Sequence, residues 1–164
     1  MIEGLLGLLV FILPAYVANS APVLFGGGTP MDFGGNAWDG RRALGDGKTW
    51  RGFVSGIAFG ILAGAAVAYA ASEPAYMRLG VLLAFGAMVG DLAGSFAKRR
   101  IGMGRGQSAF LLDQLPFLAF ALIFASPIYL PPPLDLALLA LLTYVLHVCS
   151  NFAANRLGLK SVPW

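Results

Sequence analysis

The residues best suited to chemistry lie in one stretch, 90–114, where two carboxylates, a serine and a basic cluster separate long apolar runs. Asp91, Ser95 and Lys98 follow one another at i, i+4 and i+7, a spacing that places all three on one face of a helix. Asp113 follows at the far end of a short basic loop. An ionisable residue inside an apolar helix is costly, so it indicates a functional site. We expect a metal ion or a cation as the partner of these carboxylates.

The composition indicates which elements must hold these residues. Of the 164 residues, 58% are hydrophobic and 12% are charged, whereas about a quarter of the residues of a soluble domain are charged. A transmembrane helix needs about 20 mostly apolar residues. The sequence offers such runs at 2–24, 52–71, 78–97, 115–130 and 134–155. They predict an all-α, polytopic membrane protein with five transmembrane helices and one membrane-embedded domain over 1–164.

The basic residues predict the orientation of this domain. Loops 25–51 and 98–114 and the C-terminal tail hold all but Arg78 of the eleven Lys and Arg residues. Because positive charge is retained in the cytoplasm, we expect the N-terminus outside and the C-terminus inside. This predicts a multi-pass protein of the cell membrane whose active site faces the cytoplasm.

The first of these loops ends in a segment that can bind phosphate. Lys48, Thr49 and Arg51 follow a glycine-rich stretch and precede a helix, a setting in which backbone amides attract anions. A basic turn that only obeys the positive-inside rule is an equally good interpretation.

Three asparagines lie at the same predicted depth. Asn19 is at the cytoplasmic end of the first helix, and Asn151 and Asn155 continue a polar stripe on the fifth helix that includes His147. Hydrogen bonds between helices explain such residues adequately. Their depth nevertheless suits the lining of a pocket, so we keep all three asparagines as binding candidates.

Small residues predict how the second and third helices pack. Glycine recurs at every fourth position, at 52, 56, 60 and 64 in one helix and at 86, 90 and 94 in the other. Such stripes let helix backbones approach closely. We expect a tight pair that brings Lys48 near Asp91, and we consider the same faces for a homodimer contact.

Asp113 and Asp135 also have simpler explanations. Asp113 suits the N-cap of the fourth helix, with Pro116 in the first turn. Asp135 is expected to be a favourable charge at the N-terminus of the fifth helix, on the side opposite the site.

Carboxylates within a ring of cations suggest Mg²⁺ and phosphates, because Mg²⁺ is commonly held by one or two carboxylates, substrate phosphates and water. We predict Asp91 and Asp113 as metal ligands and, with Lys98, as catalytic residues. The predicted substrate-binding residues are Asn19, Lys48, Thr49, Arg51, Ser95, Arg99, Arg100, Asn151 and Asn155. This pattern favours phosphoryl or nucleotidyl transfer over hydrolysis through a covalent intermediate.

These residues also carry a resemblance to a known family. Gly90-Asp91, the Ser95-x-x-Lys98-Arg99 run and Asp113-Gln114 resemble the signature of membrane phosphatidate cytidylyltransferases. With its short KRRIGMGRG, LLDQLPF and GKTWRG segments, the chain is most similar, nearly end to end, to the archaeal CDP-archaeol synthases.

The resemblance implies Mg²⁺-dependent transfer of CMP from CTP to 2,3-bis-O-geranylgeranylglycerol 1-phosphate, with release of pyrophosphate. The partners implied are CTP, an isoprenoid glycerol ether phosphate and the lipid bilayer, and no nucleic acid. Two alternatives stay open: a CTP-dependent polyprenol kinase, and a small transporter or lipid-binding protein whose charges only solvate its loops.

Overall fold

The computed structural model of the protein describes residues 4–104, 107, 109 and 112–159, and within these it contains helices and no β-strand. The helices are α1 (Gly4–Phe25), α2 (Trp50–Ala70), α3 (Ala75–Arg100), α4 (Leu115–Ala125) and α5 (Pro133–Arg156). Arg105 and Lys160, which entered the predicted charge asymmetry, lie outside the described residues. The all-α prediction is confirmed for the described part of the chain.

Four of these helices, α1, α2, α3 and α5, are long and apolar enough to cross a membrane, whereas α4 has only 11 residues. At a rise of about 1.5 Å per residue, α4 spans roughly half of a hydrocarbon core of about 30 Å. It ends at Ala125, earlier than predicted, because Pro127 cannot donate a backbone hydrogen bond to Ile123. The Ser126 hydroxyl donates to that carbonyl instead, over 2.8 Å.

The glycine stripe of α2 packs in a groove between α1 and α3. A Cβ atom added to Gly60 would lie 2.5 Å from the Ala84 side chain and 2.9 Å from that of Ala18. One added to Gly64 would lie 2.5 Å from the Cα atom of Gly80. No side chain larger than hydrogen fits at these crossings, so the predicted close approach of α2 and α3 is confirmed.

The glycine stripe of α3 has a different partner from the one we expected. Gly86, Gly90 and Gly94 face α4 and the turn before it, and a Cβ atom on Gly86 would lie 2.8 Å from the Cα atom of Ala121. Both stripes are buried within one chain. Packing within one chain covers both stripes, so they do not offer the homodimer contact that we considered there. A homodimer stays a prediction.

Consecutive helices run in opposite directions, so the connections gather at two ends. Loop 26–49, the segment after α3 and the C-terminal end of α5 lie at one end, where Gly52 packs on Pro22 and Gly94 on Leu112 and Pro116. Among the described residues, every Lys and Arg except Arg78 lies at this end. Asp135 lies in the first turn of α5 at the other end, as predicted.

Candidate active site

A cavity of about 1060 Å³ opens at the basic end, between α1, α3, α5 and the loops. Each helix contributes one face at helical spacing. We call one side the charged wall; it consists of Lys48, Asp91, Ser95, Lys98 and Asp113. We call the other side the α1–α5 wall; it consists of Tyr16, Asn19, Ser20, Val23, Leu24, Thr143, Leu146, His147, Ser150, Asn151 and Ala154. The cavity thus brings predicted residues from four parts of the chain together.

Both predicted carboxylates of the charged wall are paired with lysines. The ammonium of Lys48 lies 2.5 Å from Asp91 Oδ2, and that of Lys98 lies 2.5 Å from Asp113 Oδ1. The four side chains are between 14% and 27% exposed, so substrate can reach them from the cavity. The predicted approach of Lys48 to Asp91 is confirmed, and the partner of each carboxylate in this state is a cation.

Asp113 does not cap α4 in this structure. The N-cap position belongs to Gln114, whose side chain makes no capping hydrogen bond. The Asp113 carboxylate turns back instead, and its Oδ2 atom accepts a hydrogen bond from the Ala109 amide over 2.9 Å. The capping interpretation therefore does not account for this residue.

Arg100 attaches loop 26–49 to the end of α3. Its guanidinium forms an ion pair with Asp39 and donates to the carbonyl of Arg42 over 2.5 Å. The same group lies 4.8 Å from the centre of the Phe96 ring and 5.5 Å from that of Trp38, both within cation–π range. Because both of its terminal nitrogens bind the loop, Arg100 has a docking role that its position in the sequence did not indicate.

Asp32 organises the interior of the same loop. Its side chain is only 3% exposed and forms an ion pair with Arg42 over 2.7 Å. It also accepts hydrogen bonds from the amides of Leu44 and Gly45, each over 2.9 Å, and of Gly34 over 3.2 Å. The Arg42 guanidinium holds the pKa of this carboxyl well below its usual range, and the amides assist it, although burial opposes the shift.

The Asp32 contacts lead directly to the charged wall. Gly45, whose amide donates to Asp32, has a φ of 89°, a value that favours glycine. Three residues later, the Lys48 carbonyl accepts a hydrogen bond from Met31 over 2.8 Å. Asp32 therefore holds residues 44 and 45, shortly before Lys48, while its neighbour Met31 binds the backbone of Lys48 itself. Sequence reasoning missed Asp32; the available signal was the Asp-x-Gly spacing of an Asx turn.

Comparisons with known proteins decide the family. All of the chain, residues 1–164, matches the family model described as "CarS-like: CDP-archaeol synthase". This chain belongs to the CDP-archaeol synthase family. The CDP-archaeol synthase of Thermococcus kodakarensis is 49% identical over 161 residues, covering 94% of this chain and 93% of that protein. The CDP-archaeol synthase of Archaeoglobus fulgidus is 45% identical over an alignment of 182 positions that covers both chains completely.

A solved structure supports the same assignment. It is described as "Structural insight into an intramembrane enzyme for archaeal membrane lipids biosynthesis", matches with a TM-score of 0.86 at 41% identity, and the match covers 92% of this chain and 96% of that one. The predicted nucleotidyltransferase class is thereby confirmed, and membership in the CDP-archaeol synthase family argues against the kinase and transporter alternatives.

Several predicted binding residues of this family member lie outside the cavity lining. Thr49 is buried and caps α2, accepting a hydrogen bond from the Gly52 amide over 3.1 Å. Arg51 is exposed on the first turn of α2, and Arg99 donates to the Gly104 carbonyl over 3.1 Å. Asn155 likewise is not among the lining residues.

The cavity also contains residues that sequence reasoning had not assigned to the site. Tyr16, Ser20 and Ser150 line it, and the Tyr16 hydroxyl lies 2.8 Å from the Thr143 hydroxyl, which joins α1 to α5. For Tyr16 and Ser20, the signal in the sequence was their spacing around Asn19, which places all three on one face of α1.

The donor set suits Mg²⁺ only when substrate completes it. Within the described residues, no group of three or more His, Cys, Asp and Glu side chains is clustered to hold a metal. Asp91 and Asp113 nevertheless line one cavity, and Mg²⁺ typically takes one or two carboxylates while phosphate oxygens and water fill its other positions. The residues present therefore fit a metal that enters with a nucleotide.

Proposed function

We propose that this enzyme transfers CMP from CTP to 2,3-bis-O-geranylgeranylglycerol 1-phosphate, giving unsaturated CDP-archaeol and pyrophosphate. The observation that carries this proposal is the pair of lysine–carboxylate contacts that face one cavity. Two polyanions must approach each other in this reaction, and a site of alternating cations and carboxylates is suited to bind them both. Its relatives in Thermococcus kodakarensis and Archaeoglobus fulgidus are named CDP-archaeol synthases, which agrees with the proposed product.

The reacting groups need little proton chemistry. A phosphate monoester has a second pKa near 6, so the lipid phosphate is largely dianionic at neutral pH and attacks without a general base. One of its oxygens forms a bond to the α-phosphorus of CTP as the bond between that phosphorus and the bridging oxygen breaks. The leaving group is pyrophosphate, which carries away the electron pair of that bond.

Lys48 and Lys98 supply the charge that this step requires. When the triphosphate binds, each ammonium exchanges its carboxylate for a phosphate oxygen, and Asp91 and Asp113 become available to the metal ion. Charge-assisted contacts of this kind stabilise the negative charge that develops on the leaving group. The lysines therefore hold the carboxylates in place before substrate arrives and hold the phosphates afterwards.

Mg²⁺, when bound, neutralises the triphosphate and polarises the reacting phosphorus. Asp91 and Asp113 would hold it, and Ser95, Asn19 and Asn151 would orient the nucleotide and the lipid phosphate around them. Thr49 would act indirectly, by capping α2 directly after Lys48, and Asn155 stays a proposed binding residue. Arg51 and Arg99 add positive potential that attracts the anionic nucleotide to the cavity.

We further propose that the basic end of the protein faces the cytoplasm, with the N-terminus outside and the C-terminus inside. The charge asymmetry of the described residues and the antiparallel order of the helices support this orientation. In a Cys149→Ala background, Leu157→Cys should react with an impermeant reagent from the cytoplasmic side and Glu73→Cys from the outside. Labelling of both positions from one side would overturn this topology.

The reaction is tested with purified protein, Mg²⁺ and CTP labelled at its α-phosphate. We expect the label to enter the lipid, because cytidylyl transfer carries the α-phosphorus into the product, whereas a kinase would transfer only the γ-phosphorus. Ether-linked and ester-linked lipid phosphates are assayed side by side to define the acceptor. Label that stays in soluble nucleotides, with a folded protein and both acceptors present, would refute the proposal.

A further inference from the structure

The two sides of the cavity differ in charge. The charged wall has two lysines and two carboxylates, whereas the α1–α5 wall presents hydroxyls, amides, one histidine and apolar side chains. If CTP and Mg²⁺ occupy the charged wall, as the proposed function requires, the lipid must lie along the α1–α5 wall. The inference developed here rests on that proposed function.

The chains of the lipid do not match the character of the cavity. They are hydrocarbon throughout and gain free energy when they are removed from water. The cavity lining includes two lysines, two carboxylates and several hydroxyls and amides, and the cavity opens at the basic end. We therefore expect the chains to leave it towards the bilayer, where they are not exposed to water.

Four of the described residues form an apolar edge of the cavity that the lipid chains can cross. Val23, Leu24, Leu146 and Leu159 line the cavity and are also 43%, 63%, 40% and 48% exposed at the surface. Residues with both properties lie at the rim of a cavity, and these four belong to the C-terminal parts of α1 and α5 or follow α5 directly. We call them the α1–α5 opening. Ser20 and Ser150 also line the cavity and are exposed, but Leu24 and Leu146 give alkyl chains an apolar surface beside them.

The opening has a lower boundary inside the membrane domain. The hydrogen bond between Tyr16 and Thr143 joins α1 to α5, and Thr143 is 1% exposed. One turn further from the basic end, Leu139 is fully buried, and the rings of Phe11 and Tyr129 close the space with their centres 5.3 Å apart. The Tyr16–Thr143 contact therefore marks the inner limit of the opening.

We propose that the two isoprenoid chains pass from the cavity into the bilayer between α1 and α5, across Leu24 and Leu146, with the Tyr16–Thr143 contact beneath them. The lipid phosphate then lies at the junction of the two walls, beside the α-phosphate of CTP. Chain length is not measured by the cavity, because the distal part of each chain lies in the bilayer.

A bulky side chain in the opening tests this path. Leu146→Trp places an indole at the rim, whereas Val145→Trp places the same group on the neighbouring residue, which is 47% exposed and does not line the cavity. Each variant is assayed in detergent with two acceptors, the bis-geranylgeranyl glycerol phosphate and an analogue with two five-carbon prenyl ethers. The KM values for both lipids and for CTP are measured, with thermal stability recorded alongside.

We expect Leu146→Trp to raise the KM for the long-chain lipid about tenfold, as overpacking of a filled channel does. The KM values for CTP and for the short-chain analogue should change less than about twofold, and Val145→Trp should match wild type. Leu24→Trp, on the facing helix, should repeat the effect and gives the answer if Leu146→Trp fails to fold.

Equal effects on the two lipids, or an effect of Val145→Trp as large as that of Leu146→Trp, would overturn the path between α1 and α5. In either case wild-type protein would still form CDP-lipid, so the proposed reaction would stand. Failure of the reaction itself would appear differently, as absence of CDP-lipid from wild-type protein with every acceptor.

Discussion

The charged wall and the α1–α5 wall differ in how deeply α3 and α5 are packed. α3, which carries the charged wall, buries eleven of its 26 residues, whereas α5 buries three of its 24. The loop that supplies Lys48 is braced by Asp32 and is docked on α3 by Arg100. On the other wall, the Tyr16–Thr143 hydrogen bond joins α1 to α5.

This difference follows from what each wall must do. Phosphoryl groups react only when they are held within a fraction of an ångström of the productive geometry, so the wall that holds them must be rigid. A lipid has to enter and leave between helices, so a wall that separates easily serves it better. The difference predicts that changes in the charged wall reduce turnover, whereas changes in the α1–α5 wall act on lipid binding and stability.

The largest effect is expected for the two carboxylates. Asp91→Asn and Asp113→Asn should each lower CTP turnover by at least about 100-fold, because the metal loses a charged ligand at the reacting phosphates. Asp135→Asn, at the opposite end, should be near wild type. Turnover is measured against Mg²⁺ concentration. Near-normal turnover in a folded Asp91→Asn or Asp113→Asn variant would sink the metal-site assignment.

Lys48→Gln breaks the Lys48–Asp91 ion pair from the lysine side, whereas Asp91→Asn breaks it from the carboxylate side. Comparison of these two variants separates metal binding by Asp91 from simple ion pairing. If Asp91 serves only as the counter-ion of Lys48, the two variants should behave alike. We expect instead that Asp91→Asn raises the Mg²⁺ requirement, whereas Lys48→Gln raises the KM for CTP. Identical Mg²⁺ profiles for the two variants would favour pairing alone.

Arg100 should have the next largest effect, through the position of the loop. Arg100→Ala removes the ion pair with Asp39 and the contacts with two rings, so turnover should fall about tenfold or more as Lys48 is misplaced. Arg100→Lys should be almost as poor, because a lysine cannot reproduce the planar fork. If Arg100 instead bound a substrate phosphate, the lysine variant would keep most activity. Hydrogen exchange of 26–49 provides a readout independent of turnover.

Asp32→Asn should lower turnover several-fold and increase exchange in the same loop, since the side-chain amide cannot replace a carboxylate toward Arg42 and three backbone amides. Asp46, which also pairs with Arg42 but is 57% exposed, provides the matched control, and Asp46→Asn should have little effect. Loss of protection only in the Asp46 variant would contradict the role of Asp32.

The pH dependence of the loop has a definite sign. The pKa of Asp32 is lowered in the folded protein, so its stabilisation is complete above the ordinary carboxylate pKa of about 4 and is lost as pH falls through the folded value. Exchange protection of 26–49, corrected for intrinsic rates, should therefore be constant between about pH 5 and pH 8. A loss of protection within that range would argue against the Asp32 contacts.

The smallest effect is expected in the α1–α5 wall. Tyr16→Phe deletes one hydrogen bond, worth about 1 kcal/mol, and should lower Tm by about 2–4 °C. CTP turnover at saturating lipid should stay near wild type. Tyr69→Phe is the control, since Tyr69 is 89% exposed. A large loss of turnover in Tyr16→Phe would show that this wall takes part in the chemistry.

Local patterns determined much of this protein. Helix boundaries within a few residues, and the shared face of Asp91, Ser95 and Lys98, follow from hydrophobic length and the helical repeat, which involve only neighbours in the chain. The cations and carboxylates of 90–114 also indicated phosphate chemistry, because few other ligands require both in one apolar setting. The fourth helix was overestimated, because apolar composition continues past Pro127 while helical hydrogen bonding does not.

Tertiary structure decided which of these residues act together. Lys48 and Asp91 are 43 positions apart, and they meet because the glycines of α2 let α1 and α3 close around it. Arg100 had the same sequence signal as Lys98, yet Lys98 faces Asp113 in the cavity and Arg100 faces Asp39 in the loop. Periodicity fixes the face on which a side chain lies, but the route of a loop with no apolar core depends on distant polar contacts, so the sequence alone could not assign these roles.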